Sequence, residues 1–223
     1  MTYLLIYQPL YNILALLASL FKGNVGWAIF TLAVLLRLCL LPFNRKTMVA
    51  QSKLLKLQPK MKEIQNKYKQ DPSQANKEIM ELFKQEKVSP YGSLGGVAIQ
   101  LVFFIFLYIF FKQAITSVDW SPHLYSFIKL TPVLNYQFLG FIDLKAISLP
   151  LTILSALVNV VLAILQPTAP GQNKTMFLLL PFVIVFYYKI FPAAIIVYWI
   201  AISLVGILEA LINKKLLKEQ KTI

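Results

Sequence analysis

The residues able to do chemistry inside this chain's apolar stretches are few. Arg37 interrupts the run VGWAIFTLAVLLRLCLLPF at 25–43, and Gln100 is the strongly polar side chain of SLGGVAIQLVFFIFLYIFF at 93–111. Thr152, Ser155 and Asn159 recur at i, i+3 and i+7, with Gln166 near the same helical face. Tyr198, Trp199, Ser203 and Glu209 fall in the last apolar run, 192–212. An arginine at the centre of a spanning helix costs about 2.5–3.5 kcal/mol on insertion scales, so it either snorkels to an interface or faces a wet, protein-lined cavity. The chemistry open to such a set is ion pairing and hydrogen bonding within the membrane. The Thr152–Ser155–Asn159 stripe by itself fits two roles equally, hydrogen bonding between helices or the wall of a hydrophilic groove. Glu209, near the inner end of its run, reads as a snorkelled interfacial carboxylate.

Bond-breaking chemistry has no foothold. The chain has no phosphate-cradling glycine loop, no HExxH, no G-x-S-x-G and no paired intramembrane carboxylates. It is therefore expected not to be an enzyme and to need no cofactor. The single cysteine, Cys39, offers neither a disulfide framework nor a cysteine metal site. His123, in SPHLY, has no partner at ligand spacing, and the reading for it is a loop histidine.

The composition says where these residues must sit. Of 223 residues, 58% are hydrophobic and 14% charged, whereas a soluble domain carries about a quarter charged. A polytopic membrane protein follows. The formal net charge is +13, and eleven of the 22 Lys and Arg lie within 44–90 beside five of the nine acids. A basic cluster next to a span marks a cytoplasmic loop, and it would also attract anionic lipid or ribosomal RNA. Neither a basic n-region with a cleavage site nor an Arg- and Ser-rich transit peptide is evident, so a prokaryotic plasma membrane is expected.

The elements can then be placed in order. Pro9 suits a helix start, and Leu10, Ile13, Leu14, Leu17 and Leu20 form one stripe, predicting a helix in the outer interface (1–24) rather than a span. A first span at 25–43, ending at Pro42, leads into a basic cytoplasmic hairpin at 44–91. Its first helix carries the seam Leu54, Leu57, Met61, Ile64 and Tyr68. Asp71-Pro72-Ser73-Gln74 opens the second, with Ala75, Ile79, Leu82 and Phe83 inward. Lys53, Lys56, Lys60, Lys67 and Lys69 would face a partner. Further spans are predicted at 92–111, 148–166, 175–191 (short and kinked at Pro181) and 192–212. An outer interfacial segment at 112–147, a short loop at 167–174 and a basic tail at 213–223 join and end them. The fold class is all-α: a five-transmembrane-helix bundle with a cytoplasmic antiparallel hairpin and a cytoplasmic C-terminus. No internal repeat supports an inverted-repeat transporter.

Five elements in this order resemble the YidC-type membrane protein insertases. They are LLRLCLLPF; the hairpin sequences LQPKMKEIQNKY (57–68) and EIMELFKQEKVSPYG (78–92); AIQL around Gln100; FIDL (141–144) before a span ending LQPTAP; and LLPFVIVFYYKIFPAAIIVYW (179–199). The segment GSLGGVAIQLV departs from the family pattern, lacking its cysteine and both of its prolines. The resemblance implies a hydrophilic groove open to the cytoplasm and to lipid, with Arg37 as its arginine. Geometry and composition add Gln100, Thr152, Ser155, Asn159 and Trp199 as groove-lining candidates. The implied partners are nascent membrane proteins and lipid, with the ribosome and the Sec translocon as further candidates, and a monomer would suffice. Substrate helices would leave sideways into lipid without nucleotide hydrolysis. Two other readings compete: a small anion channel or transporter using Arg37 as its anion site, and an assembly chaperone.

Overall fold

The structure, a computed structural model, describes residues 7–88, 92–117, 119–128, 133–166 and 174–219. The first six residues of the expected N-terminal helix, most of the 167–174 loop and the last four of the tail lie outside these. The chain is mostly helical: α1 (Gln8–Leu20), α2 (Val25–Lys67), α3 (Pro72–Gln85), α4 (Gly92–Thr116), α5 (Leu149–Leu165), α6 (Lys174–Phe186) and α7 (Ala193–Glu219). A two-residue antiparallel pair, β1 (Gln137–Phe138) with β2 (Ile142–Asp143), lies between α4 and α5. Two compact units form. The first holds the described residues up to 39, those of 104–166 and those from 178 on; the second holds those of 40–103 and 167–177.

In the first unit, the segment between α4 and α5 fixes where the helices begin. Asn24 caps α2, its Oδ1 accepting from Trp27 N–H at 3.1 Å while its Nδ2 donates to the Gln137 carbonyl at 3.1 Å. Val25 N–H donates to the Asn135 carbonyl at 2.9 Å, and Asn135 N–H to the Gly23 carbonyl at 2.8 Å. Gly26 lies so close to Phe138 that an added Cβ would stand 2.4 Å from its ring. At α7, the N–H groups of Ala193 and Ala194 donate to the carbonyls of Ala146 and Leu144 at 2.8 and 3.0 Å. These are donors a helix start otherwise leaves unpaired. The two helices that carry Arg37 and Glu209 are thus both anchored by one segment.

The helix α1 packs on the same segment. Leu10, Leu14 and Leu17 are buried as their spacing predicts, but Ile13 and Leu20 are 40% and 76% exposed. The buried face is turned towards Tyr11, whose ring lies 5.1 Å from Phe110, 6.1 Å from Trp120 and 4.5 Å from His123. Asn12 fixes this rotation: its Oδ1 accepts from Tyr125 N–H at 2.7 Å and its Nδ2 donates to the His123 carbonyl at 3.2 Å. A buried amide satisfied twice outweighs one more aliphatic contact.

Among the described residues two helices, over Val25–Pro42 and Ala193–Ile212, are long and apolar enough to cross a membrane; Val102–Thr116 and Leu149–Leu165 are shorter apolar helices. Helix bounds differ from span bounds in two places. The first span does not end its helix at Pro42, because α2 continues to Lys67 with Pro42 and Pro59 inside it. Each proline removes one backbone bond, to Leu38 and Leu55 respectively, while the bonds around it persist. Nor is 175–191 one helix: α6 stops at Phe186, and Tyr188–Ile190 forms a 3-10 turn. Pro192 disfavours helical geometry in the residue before it, and Phe191 is extended at φ −109°, ψ 112°.

The second unit contains the predicted hairpin. Leu54, Leu57, Ile79 and Phe83 are buried together, with Met61, Ile64, Leu82 and Val88 packed around them. Asp71 caps α3, its carboxylate accepting from the N–H groups of Ser73 and Gln74 at 3.1 and 3.0 Å, with Pro72 in the first turn. Tyr68 Oη lies 3.2 Å from Glu78 Oε1 and adds a tie across the turn.

Candidate functional site

Arg37 lies twelve residues into α2, about 18 Å along its axis, inside the apolar window Val25–Pro42. There it meets α7. Its Nε donates to Glu209 Oε1 and its Nη2 to Glu209 Oε2, both at 3.1 Å. The side chains are 17% and 12% exposed. Glu209 is therefore not a lone interfacial carboxylate, as its position in the sequence suggests, but the partner of the embedded arginine. The physical reason is reciprocal: either charge alone in hydrocarbon costs about 2.5–3.5 kcal/mol on insertion scales, and the two-point contact offsets much of that for both. Gly206, one turn before Glu209, makes room. A Cβ there would stand 3.3 Å from Arg37 Nη2 and 3.2 Å from the Leu162 side chain of α5.

A polar seam continues from this pair between α5 and α7. Ser203 Oγ donates to Asn159 Oδ1 at 3.0 Å, and Asn159 Nδ2 donates to the Ser155 carbonyl of its own helix at 2.9 Å. Thr152 Oγ1 donates to the Ser148 carbonyl at 2.8 Å, which reinforces the start of α5 beside the Ser148 cap. Ser155 Oγ is fully buried and, among the described residues, has no hydrogen-bond partner. In a low-dielectric setting such a group costs about 1–3 kcal/mol.

The sequence-derived candidates thus separate. Arg37 and Asn159 are half-buried, with polar atoms within reach of α7. Thr152 and Ser155 have no exposed surface; in this conformation they belong to the helix–helix seam rather than to an open wall. The reason is close α5–α7 packing: Gly206 of α7 lies so near Leu162 of α5 that an added Cβ would stand 3.2 Å from it, as small residues at helix contacts allow. Trp199 stacks on Phe104 of α4 at 4.9 Å with planes 14° apart and leans on Phe191 at 5.3 Å. It lies ten residues before Glu209, about 15 Å of helix, so it joins an aromatic layer rather than the ion pair. Gln100 is in α4, but its side chain lies outside the described residues.

On the hairpin, Lys53, Lys56, Lys60, Lys67 and Lys69 are all exposed. Lys60 pairs with Glu86 at 2.9 Å, and Lys67 lies over the Tyr68 ring at 5.0 Å. Among the described residues no cluster of His, Cys, Asp or Glu could hold a metal ion.

Ser203 and Glu209, visible in the sequence as polar groups of the last apolar run but not as partners of the other candidates, complete the site together with Gly206, which the sequence did not single out. The signal was present: at i, i+3 and i+6 they share one face of α7, opposite the Thr152–Ser155–Asn159 face of α5.

Comparison with known proteins places these features in context. Residues 16–221 match the model of a family described as 60Kd inner membrane protein. The chain is 32% identical over 222 residues to a protein of Wolinella succinogenes named membrane protein insertase YidC, covering 96% of this chain and 38% of that one. Proteins of the same name from Helicobacter pylori J99 and Cupriavidus necator are 30% and 31% identical over 208 and 207 residues. Those matches cover 90% and 91% of this chain, and 35% and 34% of the relatives. The chain therefore spans less than two fifths of the length of these relatives.

Proposed function

Because the chain belongs to the 60Kd inner membrane protein family, we propose that it is a membrane protein insertase and chaperone. It receives nascent membrane proteins in a lipid-open polar groove and releases their helices sideways into the bilayer. The observation that carries this reading is the Arg37–Glu209 pair, a two-point ion pair on two apolar helices, continued by the Asn159–Ser203 contact.

In this reading five helices, α2 and α4–α7, cross the inner membrane, the hairpin and the C-terminus are cytoplasmic, and the lysines of the hairpin meet the ribosome or the Sec translocon. A polar substrate segment enters beside Arg37 and remains hydrogen-bonded part-way across, so fewer of its backbone groups are stripped of partners at once. A carboxylate of the segment replaces Glu209 on the guanidinium: one two-point contact is exchanged for another, and the barrier is lower than for extracting an unpaired charge. Asn159 and Trp199 border the path, and Thr152 and Ser155 join it when α5 and α7 part. Transfer of the apolar helix into lipid supplies about 25 cal/mol per Å² of apolar surface removed from water. No nucleotide is consumed.

The test is reconstitution of the purified protein in liposomes with a single-span substrate bearing an acidic N-terminal tail. Protease protection of the tail is read for wild type and Arg37→Ala. Protection by wild type and its loss in the variant are expected. Equal protection in both would remove Arg37 from the mechanism; protection by neither would leave a chaperone that holds substrates without inserting them. The anion-channel alternative predicts chloride or phosphate flux from loaded liposomes, and the carboxylate seated on Arg37 already fills the site such a channel would need.

A further inference from the structure

A basic pocket of about 370 Å³ opens where α4 ends and α7 begins. Lys112, Lys145 and Lys189 converge on it from three separate parts of the chain, and Ile115, Ile147 and Ile190 supply much of its apolar lining. Two of the lysines rest on aromatic rings. Lys112 Nζ lies 5.9 Å from the Tyr108 ring centre and Lys145 Nζ 3.9 Å from that of Tyr136. Tyr108 in turn packs edge-on against Phe191, two residues beyond Lys189, at 5.8 Å. The backbone bonds from Ala193 and Ala194 to Ala146 and Leu144 fasten one wall to the other.

Three like charges gathered on one concavity repel one another unless an anion sits among them. Among the described residues none of the three forms an ion pair; the pairs found there are Arg37–Glu209 and Lys60–Glu86. The apolar half of the wall does not end at the pocket. Ile147 and Ile190 are half exposed; in sequence they are flanked by exposed Leu149 at the start of α5 and by exposed Phe186 and Tyr187 at and just beyond the end of α6. A phosphate with an attached hydrocarbon matches both halves, whereas a free phosphate leaves the isoleucines without a partner. The volume is that of a small ligand site.

We propose that this pocket binds the headgroup phosphate of an anionic phospholipid, with the three lysines around the phosphate and an acyl chain along Ile147 and Ile190. The site is separate from Arg37, and the proposal does not depend on the insertase reading.

The experiment is retention of phosphatidylglycerol by the full chain in neutral detergent, read by native mass spectrometry while the lipid is titrated. Wild type should retain one lipid, and each of Lys112→Gln, Lys145→Gln and Lys189→Gln should weaken retention roughly fivefold, as expected for one basic residue near an anionic headgroup. Lys22→Gln, outside the pocket, is the matched control and should change nothing. Lys189→Arg should retain the lipid. Unchanged retention in all three pocket variants, or an equal loss in Lys22→Gln, would overturn the proposal. Displacement of the lipid by millimolar inorganic phosphate would assign the site to a soluble anion and overturn it as well. Capture of an acidic peptide in preference to the lipid would do the same.

Discussion

Arg37 and Glu209, 172 residues apart in the chain, hold each other through two parallel hydrogen bonds of 3.1 Å between α2 and α7. The contact closes a polar seam that runs from the Ser148 cap through Asn159 and Ser203. It also turns two charges that the membrane penalises separately into one dipole.

That relationship predicts a thermodynamic cycle. Arg37→Met leaves a mostly buried carboxylate unpaired and should destabilise the protein by about 3–5 kcal/mol, as loss of one partner of a buried pair does. Glu209→Gln should cost a similar amount. The double variant removes both charges and should be more stable than either single one, with a coupling of about 1–3 kcal/mol in detergent unfolding experiments. Strictly additive costs would mean the two side chains do not interact.

The proposed exchange of carboxylates on Arg37 carries a separate kinetic prediction. In Glu209→Gln the guanidinium has no anionic competitor, so a substrate tail with a single acidic residue should insert several-fold faster than with wild type. A tail with no acidic residue should gain nothing. If both tails speed up alike, or both slow, Glu209 is structural rather than a competitor. Arg37→Lys should keep part of the activity, since it preserves charge but not the two-point geometry.

The start of α2 gives a packing prediction. An alanine at Gly26 would place its Cβ 2.4 Å from the Phe138 ring, and overpacking of this kind costs typically about 1–3 kcal/mol. Gly26→Ala should be destabilised accordingly. Phe138→Ala loses a buried ring of its own, but in that background Gly26→Ala should add little further cost. A full additional cost there would show that Gly26 is needed for another reason.

The hairpin should behave as a small water-exposed core. Phe83→Ala removes a ring packed against Leu54, Leu57 and Ile79 and should cost about 3–5 kcal/mol, read as faster amide exchange over 54–88. Asp71→Ala should cost about 1 kcal/mol through loss of the cap. Lys60→Ala should change stability by less than about 1 kcal/mol, because its pair with Glu86 is solvent-exposed.

Much of this protein is written locally. The apolar runs of 25–43 and 192–212, the seam from Leu54 to Ile64, and the Asp71-Pro72 start of α3 each depend on neighbours within a few turns, so their spacing suffices to find them. Proline punctuation was less reliable. Pro42 sits inside α2 because one missing backbone bond does not stop a helix whose other bonds persist. Pro192, by contrast, does help end the helical run before it, through the residue it follows.

What the sequence could not contain is which polar residue meets which. Arg37 and the stripe at Thr152, Ser155 and Asn159 were visible as groups in need of partners. Whether those partners were solvent, substrate or another helix depends on how α2, α5 and α7 are brought together. The small residues of α5 and α7, and the segment that anchors the starts of α2 and α7, decide that. Thr152 and Ser155 are closed into a seam while Arg37 is left beside Glu209, because hydrogen bonds and close packing between distant segments have no period that spacing along a chain can reveal.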